Sequence, residues 1–131
     1  MKHQFKTKVY YSDTDAYRVV WHGAYLRWLE MGRVMLSEAA GHTLVELEEK
    51  NIVLPVAEIN LKYRQSAKLN DTVTINTEVK EYSRCSLTFY QTIKDENNDK
   101  TYIEATVKVV AVDKAGKLYR TLPAEIMDMI K

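Results

Sequence analysis

The 131-residue chain has a single cysteine, Cys85, which excludes an internal disulfide and a zinc site built on several thiolates. It also lacks a surplus of either charge: nineteen Lys and Arg stand against eighteen Asp and Glu, a formal net charge of +1. General nucleic-acid binding draws on excess cations to neutralise phosphates, so that function class is not expected; a local basic patch is still allowed. No apolar run reaches the roughly 18–20 residues of a membrane-spanning helix. The opening segment MKHQFKTKVYY has no apolar stretch of the kind a secretory signal requires. His3, His22 and His42 are far apart and form no metal motif such as H-E-x-x-H. Only four glycines occur, none of them in a phosphate-cradling loop, and no segment repeats. The expectation is a soluble, cytoplasmic protein without metal or cofactor. Residues 1–131 have the length of one domain, and 46% apolar content is enough for a true core.

Periodicity divides the chain into elements. FKTKVYY, Phe5 to Tyr11, begins with strand alternation, and Ser12 to Arg18 break it with turn-forming Ser and Asp. From about His22 to Ala40 the spacing becomes helical, with Tyr25, Leu29, Gly32, Leu36 and Ala39 on one face. Trp28, Met31, Val34 and Met35 widen the apolar surface, which suits a helix wrapped by a curled sheet. Gly41 fits a C-terminal cap, and Thr43 with Glu46 fits a capping box that opens a second short helix. Four strand segments follow: Ile52 to Arg64, with Pro55 marking an edge or bulge, then Thr72 to Tyr82, Ser86 to Lys94 and Thr101 to Val112. Pro123 suits the first position of a short terminal helix. Strand, long helix, short helix and a run of antiparallel hairpins make an α+β fold.

The chemistry concentrates in YYSDTDAYRVVWHGAYLRWLEMGR, Tyr10 to Arg33. Asp13 and Asp15 flank a single residue, and one of them is expected to be structural and one free. Both also suit a plain turn, where Asp bonds its own backbone. The helix after VVW has no obvious side-chain cap, so its first amides are left as donors for a ligand oxygen. Such amides can stabilise the oxyanion formed when a carbonyl is attacked, and a nearby carboxylate can attack it or activate water. Ser12 and Asp15 remain alternative caps. His22, at the junction, either packs or orients the attacking group. Glu30 is a rival carboxylate about 12 Å along the helix from His22, and pairing with Arg33 is the simpler role for it. Cys85 reads as a small buried hydrophobe rather than a nucleophile.

These residues resemble the opening motif of the 4-hydroxybenzoyl-CoA thioesterase-like, hotdog-fold acyl-CoA thioesterases, roughly Y-x-D-T-D-x-x-G-x-V-x-H-x-x-Y-x-x-x-x-E-x-x-R. The match falls on Tyr11, Asp13, Thr14, Asp15, Val20, His22, Tyr25, Glu30 and Arg33. YRQSAKLND, Tyr63 to Asp71, resembles the family's Y-x-x-P-A-x-L-x-D, with Ser66 in place of proline. The resemblance implies an antiparallel sheet around one central helix, dimers or tetramers that extend the sheet, and active sites between subunits. It implies an acyl-CoA substrate, Asp15 as the catalytic carboxylate, and His22 and Gly23 at the helix start facing the thioester oxygen. Some members use a glutamate on the central helix, which keeps Glu30 in view. Tyr17 and Trp21 are then expected to line an acyl pocket, and Arg84 and Ser86 to lie near the pantetheine arm and phosphates. Arg18 replaces the family glycine; it either binds an acidic group of the substrate or obstructs the pocket. An acyl-carrier-protein thioester, or binding of an acyl ligand or protein partner without turnover, therefore stands as an alternative.

Overall fold

The computed structural model describes residues 1–131. β1 (Lys2–Lys8) leads through a short helical turn at Tyr11–Asp13 to the long helix α1 (His22–Ala39) and the short α2 (Leu44–Glu49). Then come β2 (Val56–Tyr63), β3 (Thr72–Tyr82), β4 (Ser86–Asp95), β5 (Thr101–Val110) and a single helical turn, α3 (Ala124–Met127). The five strands form one antiparallel sheet in the order β1-β3-β4-β5-β2. This is the α+β arrangement the sequence implied.

α1 lies on one face of the sheet. Ala24, Tyr25, Trp28, Leu29, Gly32 and Leu36 are buried against it, while Met31, Val34 and Met35 are half-buried and Ala39 is exposed, contrary to expectation. Gly32 is needed for close approach: a Cβ there would lie 2.5 Å from Thr77 Oγ1 and 3.1 Å from Ile75 Cγ2. Around α1 the core divides into two clusters. Trp28, Leu29, Ile75, Ile93 and Ile103 gather near its first half; Leu36, Leu87, Phe89, Val107 and Ile126 gather near its second. Each fully buried side chain of this size stabilises the fold by about 1.5–3 kcal/mol relative to exposure.

The helix ends follow their local sequence. Gly41 has φ 98°, its N–H donates to Glu38 O, and the His42 N–H donates to Ser37 O, which is the Schellman pattern. Thr43 Oγ1 accepts the Glu46 N–H at 3.1 Å and caps α2. β1 departs from expectation and begins and ends about three residues early. His3, Phe5 and Thr7 face inward, and at Val9 the amide leaves the ladder to bond Asp71 O at 2.7 Å. Pro55 delays β2 until Val56, and a register shift follows between Val56 and Glu58. Pro123 stands before α3 rather than within it.

The two sheet edges differ. β1 carries three lysines and blunts its edge with charge. On β2, Val56, Ile59 and Tyr63 are exposed large hydrophobics beside an open ladder. No helix is long and apolar enough to cross a membrane.

Candidate active site

Between β1 and α1 the chain makes a tight turn. Arg18 N–H donates to Asp15 O at 3.0 Å, Asp15 N–H donates to Val19 O at 2.9 Å, and Thr14 bridges Val20. The residue that closes such a turn adopts the left-handed conformation. Here it is Arg18, at φ 64°. Glycine would take that angle freely, whereas an L-residue pays roughly 1–2 kcal/mol. Arg18 therefore keeps the backbone shape that the family glycine serves, and its side chain is exposed.

The turn is clamped to the Tyr63–Asp71 segment. Val20 N–H donates to Ala67 O at 2.9 Å and Leu69 N–H to Arg18 O at 3.1 Å. Ala67 N–H in turn donates to the Tyr25 hydroxyl at 2.9 Å, tying the segment to α1. Burial pushes the Tyr25 hydroxyl pKa up, opposed by the Ala67 bond, so the phenol stays neutral.

The two aspartates separate into one structural and one free carboxylate, because Asp13 closes the Tyr11–Asp13 helical turn and Asp15 lies beyond it. Asp13 is buried, 4% exposed, and its carboxylate pairs with Arg27 and accepts the Tyr10 N–H at 2.9 Å. Its carbonyl accepts the Trp21 N–H at 3.1 Å, so Asp13 braces the entry to α1. Asp15 is exposed; Oδ1 accepts the Tyr17 N–H at 2.8 Å and Oδ2 has no partner within the chain. At the start of α1 no side chain caps the helix, and the N–H groups of His22 and Gly23 meet no acceptor in the chain. The Trp21 indole folds back over Gly23, where any Cβ would collide with the ring. The His22 ring stands edge-on to Tyr63, centroids 5.0 Å apart. A carboxylate oxygen, two free amides and an imidazole thus share one end of the molecule. This set can polarise a carbonyl and deliver a nucleophile to it.

Other expected residues fall elsewhere. Tyr17 is 87% and Trp21 50% exposed, so neither lines a closed pocket in one chain. Arg84 and Ser86 lie at the opposite end of the sheet. Ser86 pairs with Val110, whereas Ile93 and Tyr63 both pair with Ile103, a separation of about 23 Å along β4. Ser86 is buried and its Oγ is 2.5 Å from Ser83 Oγ, so it braces the β3–β4 hairpin. Arg84 instead lines an open pocket of about 320 Å³ with Cys85, Leu118, Tyr119 and Arg120. Cys85 is half-buried in the hairpin turn rather than within a strand. Glu30 and Arg33 form no ion pair within 4.0 Å; Arg33 Nη1 donates to Gln91 Oε1 at 3.0 Å. Sequence reading missed Arg27 and Arg120, which meet Asp13 and the Arg84 pocket through contacts that local spacing does not encode; Tyr63 was read only as the start of its motif, and the fold sets it against His22.

Known proteins share this fold. An antiparallel sheet packed on one long helix is the hotdog architecture. The chain belongs to the Thioesterase superfamily, which it matches over residues 17–102. It is 36% identical over 115 residues to the acyl-CoA thioesterase YbgC of Haemophilus influenzae, covering 87% of this chain and 82% of that one. It is 31% identical over 128 residues to the acyl-CoA thioester hydrolase YbgC of Escherichia coli O157:H7, covering 98% of this chain and 95% of that one. Among solved structures, a probable thioesterase from Bartonella henselae superposes with a TM-score of 0.87 at 25% identity, covering 94% of this chain and 100% of that one. A 4-hydroxybenzoyl-CoA thioesterase shares the fold, with a TM-score of 0.87 at 20% identity over 99% of both chains.

Proposed function

We propose that the protein hydrolyses an acyl-CoA thioester to a free carboxylic acid and coenzyme A. The observation that carries this reading is the pairing of Asp15, with one free carboxylate oxygen, and the unoccupied amides of His22 and Gly23 at the start of α1. Asp15 takes a proton from water as it adds to the carbonyl, or adds itself and is released by water. The carbonyl oxygen gains charge and is held by the amides, and the C–S bond breaks as coenzyme A leaves as a thiolate, which takes up the proton Asp15 removed from water or, where Asp15 itself attacks, one from solvent. His22, held by Tyr63, orients the attacking group.

The site closes in a dimer. β2 offers an open edge with Val56, Ile59 and Tyr63 exposed, and a second copy adding its own β2 antiparallel continues the sheet. That pairing sets the Val56 end of each β2 against the Tyr63 end of the other. The Arg84 end of one protomer then lies at the Asp15 end of its partner. Arg84 and Arg120 have no carboxylate within 4.0 Å and line one pocket, so they serve as cations for the coenzyme A phosphates.

Release of thiol from a panel of acyl-CoAs tests the reading, run beside the same acyl groups on acyl carrier protein. Faster turnover of the carrier thioesters, or no thiol release from either set, overturns it. Sedimentation tests the dimer: the wild type is expected at twice the chain mass and Ile59→Lys at the chain mass with activity lost.

A further inference from the structure

A cleft beside the second half of α1 takes no part in the chemistry described so far. It has a volume of about 220 Å³, and seven of its ten lining residues are apolar, Leu54, Val56, Phe89 and Met129 among them. The exceptions are Glu30, Arg33 and Ser37. Arg33 is the unusual one. Burial holds its guanidinium pKa below the ordinary arginine value, opposed by the neighbouring charge of Glu30. Of its five N–H donors, the one bond made to another side chain is Nη1 to Gln91 Oε1, at 3.0 Å. Gln91 is wholly buried, and its Nε2 donates to Leu29 O at 2.8 Å and Thr77 Oγ1 at 2.9 Å. Arg33 is therefore anchored through a fixed group at the wall of an apolar cleft, with donors to spare.

The cleft is placed to meet a substrate from the other protomer. Val56, the first residue of β2, lines it, and Tyr63, the last, holds His22 at the start of α1. The antiparallel β2 pairing argued above sets one protomer's Val56 beside the partner's Tyr63, and so beside the partner's Asp15 turn. Within one chain the geometry fails: Arg33 lies about 16 Å along α1 from His22, beyond a short acyl chain. In size, the cleft exceeds the roughly 150 Å³ cavity that accommodates benzene, so an acyl group of about six carbons fits.

Resting on the thioesterase reading, we propose that this cleft takes the acyl chain of a thioester held at the partner's Asp15, and that Arg33, flanked by Glu30, selects acyl groups ending in an oxygen function. A hydroxyl at the chain end accepts from Arg33 and donates to Glu30. A carboxylate is attracted by Arg33 and repelled by Glu30. An unsubstituted chain offers nothing to the Arg33 donors and desolvates them.

The test compares kcat/KM for hexanoyl-CoA with its ω-hydroxy and ω-carboxy counterparts, in the wild type, Arg33→Met, Arg33→Lys and Glu30→Gln. The wild type is expected to favour the ω-hydroxy chain over hexanoyl by about 10- to 100-fold, as a hydrogen bond to a charged group allows. In Arg33→Met that ratio collapses to near unity; Glu30→Gln shifts preference toward the ω-carboxy chain, and Arg33→Lys keeps part of it. Arg33→Met leaves Gln91 Oε1 unpaired; if it does not fold, the wild-type ratio and the Lys variant decide. Hydrolysis of all three thioesters at similar kcat/KM by the wild type, or an unchanged ratio in a folded Arg33→Met, overturns the inference alone. Absence of hydrolysis of any of them overturns the thioesterase reading and the inference with it.

Discussion

The inner and outer sides of the Asp13–Arg18 turn are built from similar residues and differ in almost every physical respect. On the inner side, Asp13 is 4% exposed, and its carboxylate is taken up by Arg27 and the Tyr10 amide. On the outer side, Asp15 is exposed with one oxygen unpartnered, beside a strained Arg18 and a helix start whose amides are unoccupied. The inner aspartate stabilises the loop and has no capacity left for chemistry. The outer one adds little to stability and keeps one oxygen free for an incoming group. The division teaches that local structure in this protein is secured by one set of groups so that a neighbouring set is left free.

The sharpest way to break this comparison is Asp15→Ala. Turnover should fall by at least ~10²-fold, the usual worth of a positioned acid–base group and about 2.7 kcal/mol in the barrier. Thermal unfolding should stay near the wild-type midpoint, since the lost bond to Tyr17 is at the surface. A thiol-release assay showing near-normal turnover would remove Asp15 from the mechanism. Asp13→Ala should give the converse. A loss of about 2 kcal/mol is expected in urea unfolding, because Arg27 and the Tyr10 amide lose a buried acceptor; Arg27 is itself half in solvent and recovers part of the cost. An unchanged urea midpoint would show that Asp13 does not brace the loop.

Smaller changes sharpen the contrast. Arg18→Gly relieves the left-handed strain and should raise stability by up to ~1 kcal/mol, offset in part by the freer unfolded chain. A fall in the unfolding midpoint would mean that the Arg18 side chain makes contacts worth more than the strain. Gly23→Ala should change stability least, by about 0.5 kcal/mol or less, because the indole it displaces is half exposed. The displaced Trp21 should shift its fluorescence to longer wavelength; an unchanged emission maximum would contradict the folded-back ring.

Much of the fold was legible from local rules. The boundaries of α1, the Gly41 stop, the Thr43 cap and the β3 limits all follow from residues within a turn or a strand of the feature they fix. Spacing did not separate the aspartates, since residues i and i+2 of an extended stretch share a face; Asp13 turns inward because it closes the Tyr11–Asp13 helical turn. The Glu30–Arg33 pair was not realised as a contact; the acceptor Arg33 finds is Gln91, 58 positions away in the core. β1 slid from its expected place because Asp71 captures the Val9 amide. Arg84 and Ser86, expected near the pantetheine arm and phosphates, lie at the other end of the sheet from Asp15 within one chain, because antiparallel β4 carries them there.

The sequence alone determined which segments are helix and strand, which helix the sheet must cover, and which turn holds the chemistry. Those properties depend on periodicity, caps and side-chain direction over a few residues. The tertiary structure decided which aspartate is buried, what satisfies Arg33, what supports His22 and which cations lie at which end. Those depend on groups tens of residues apart brought within hydrogen-bond distance, where the strongest available partner wins regardless of its place in the chain.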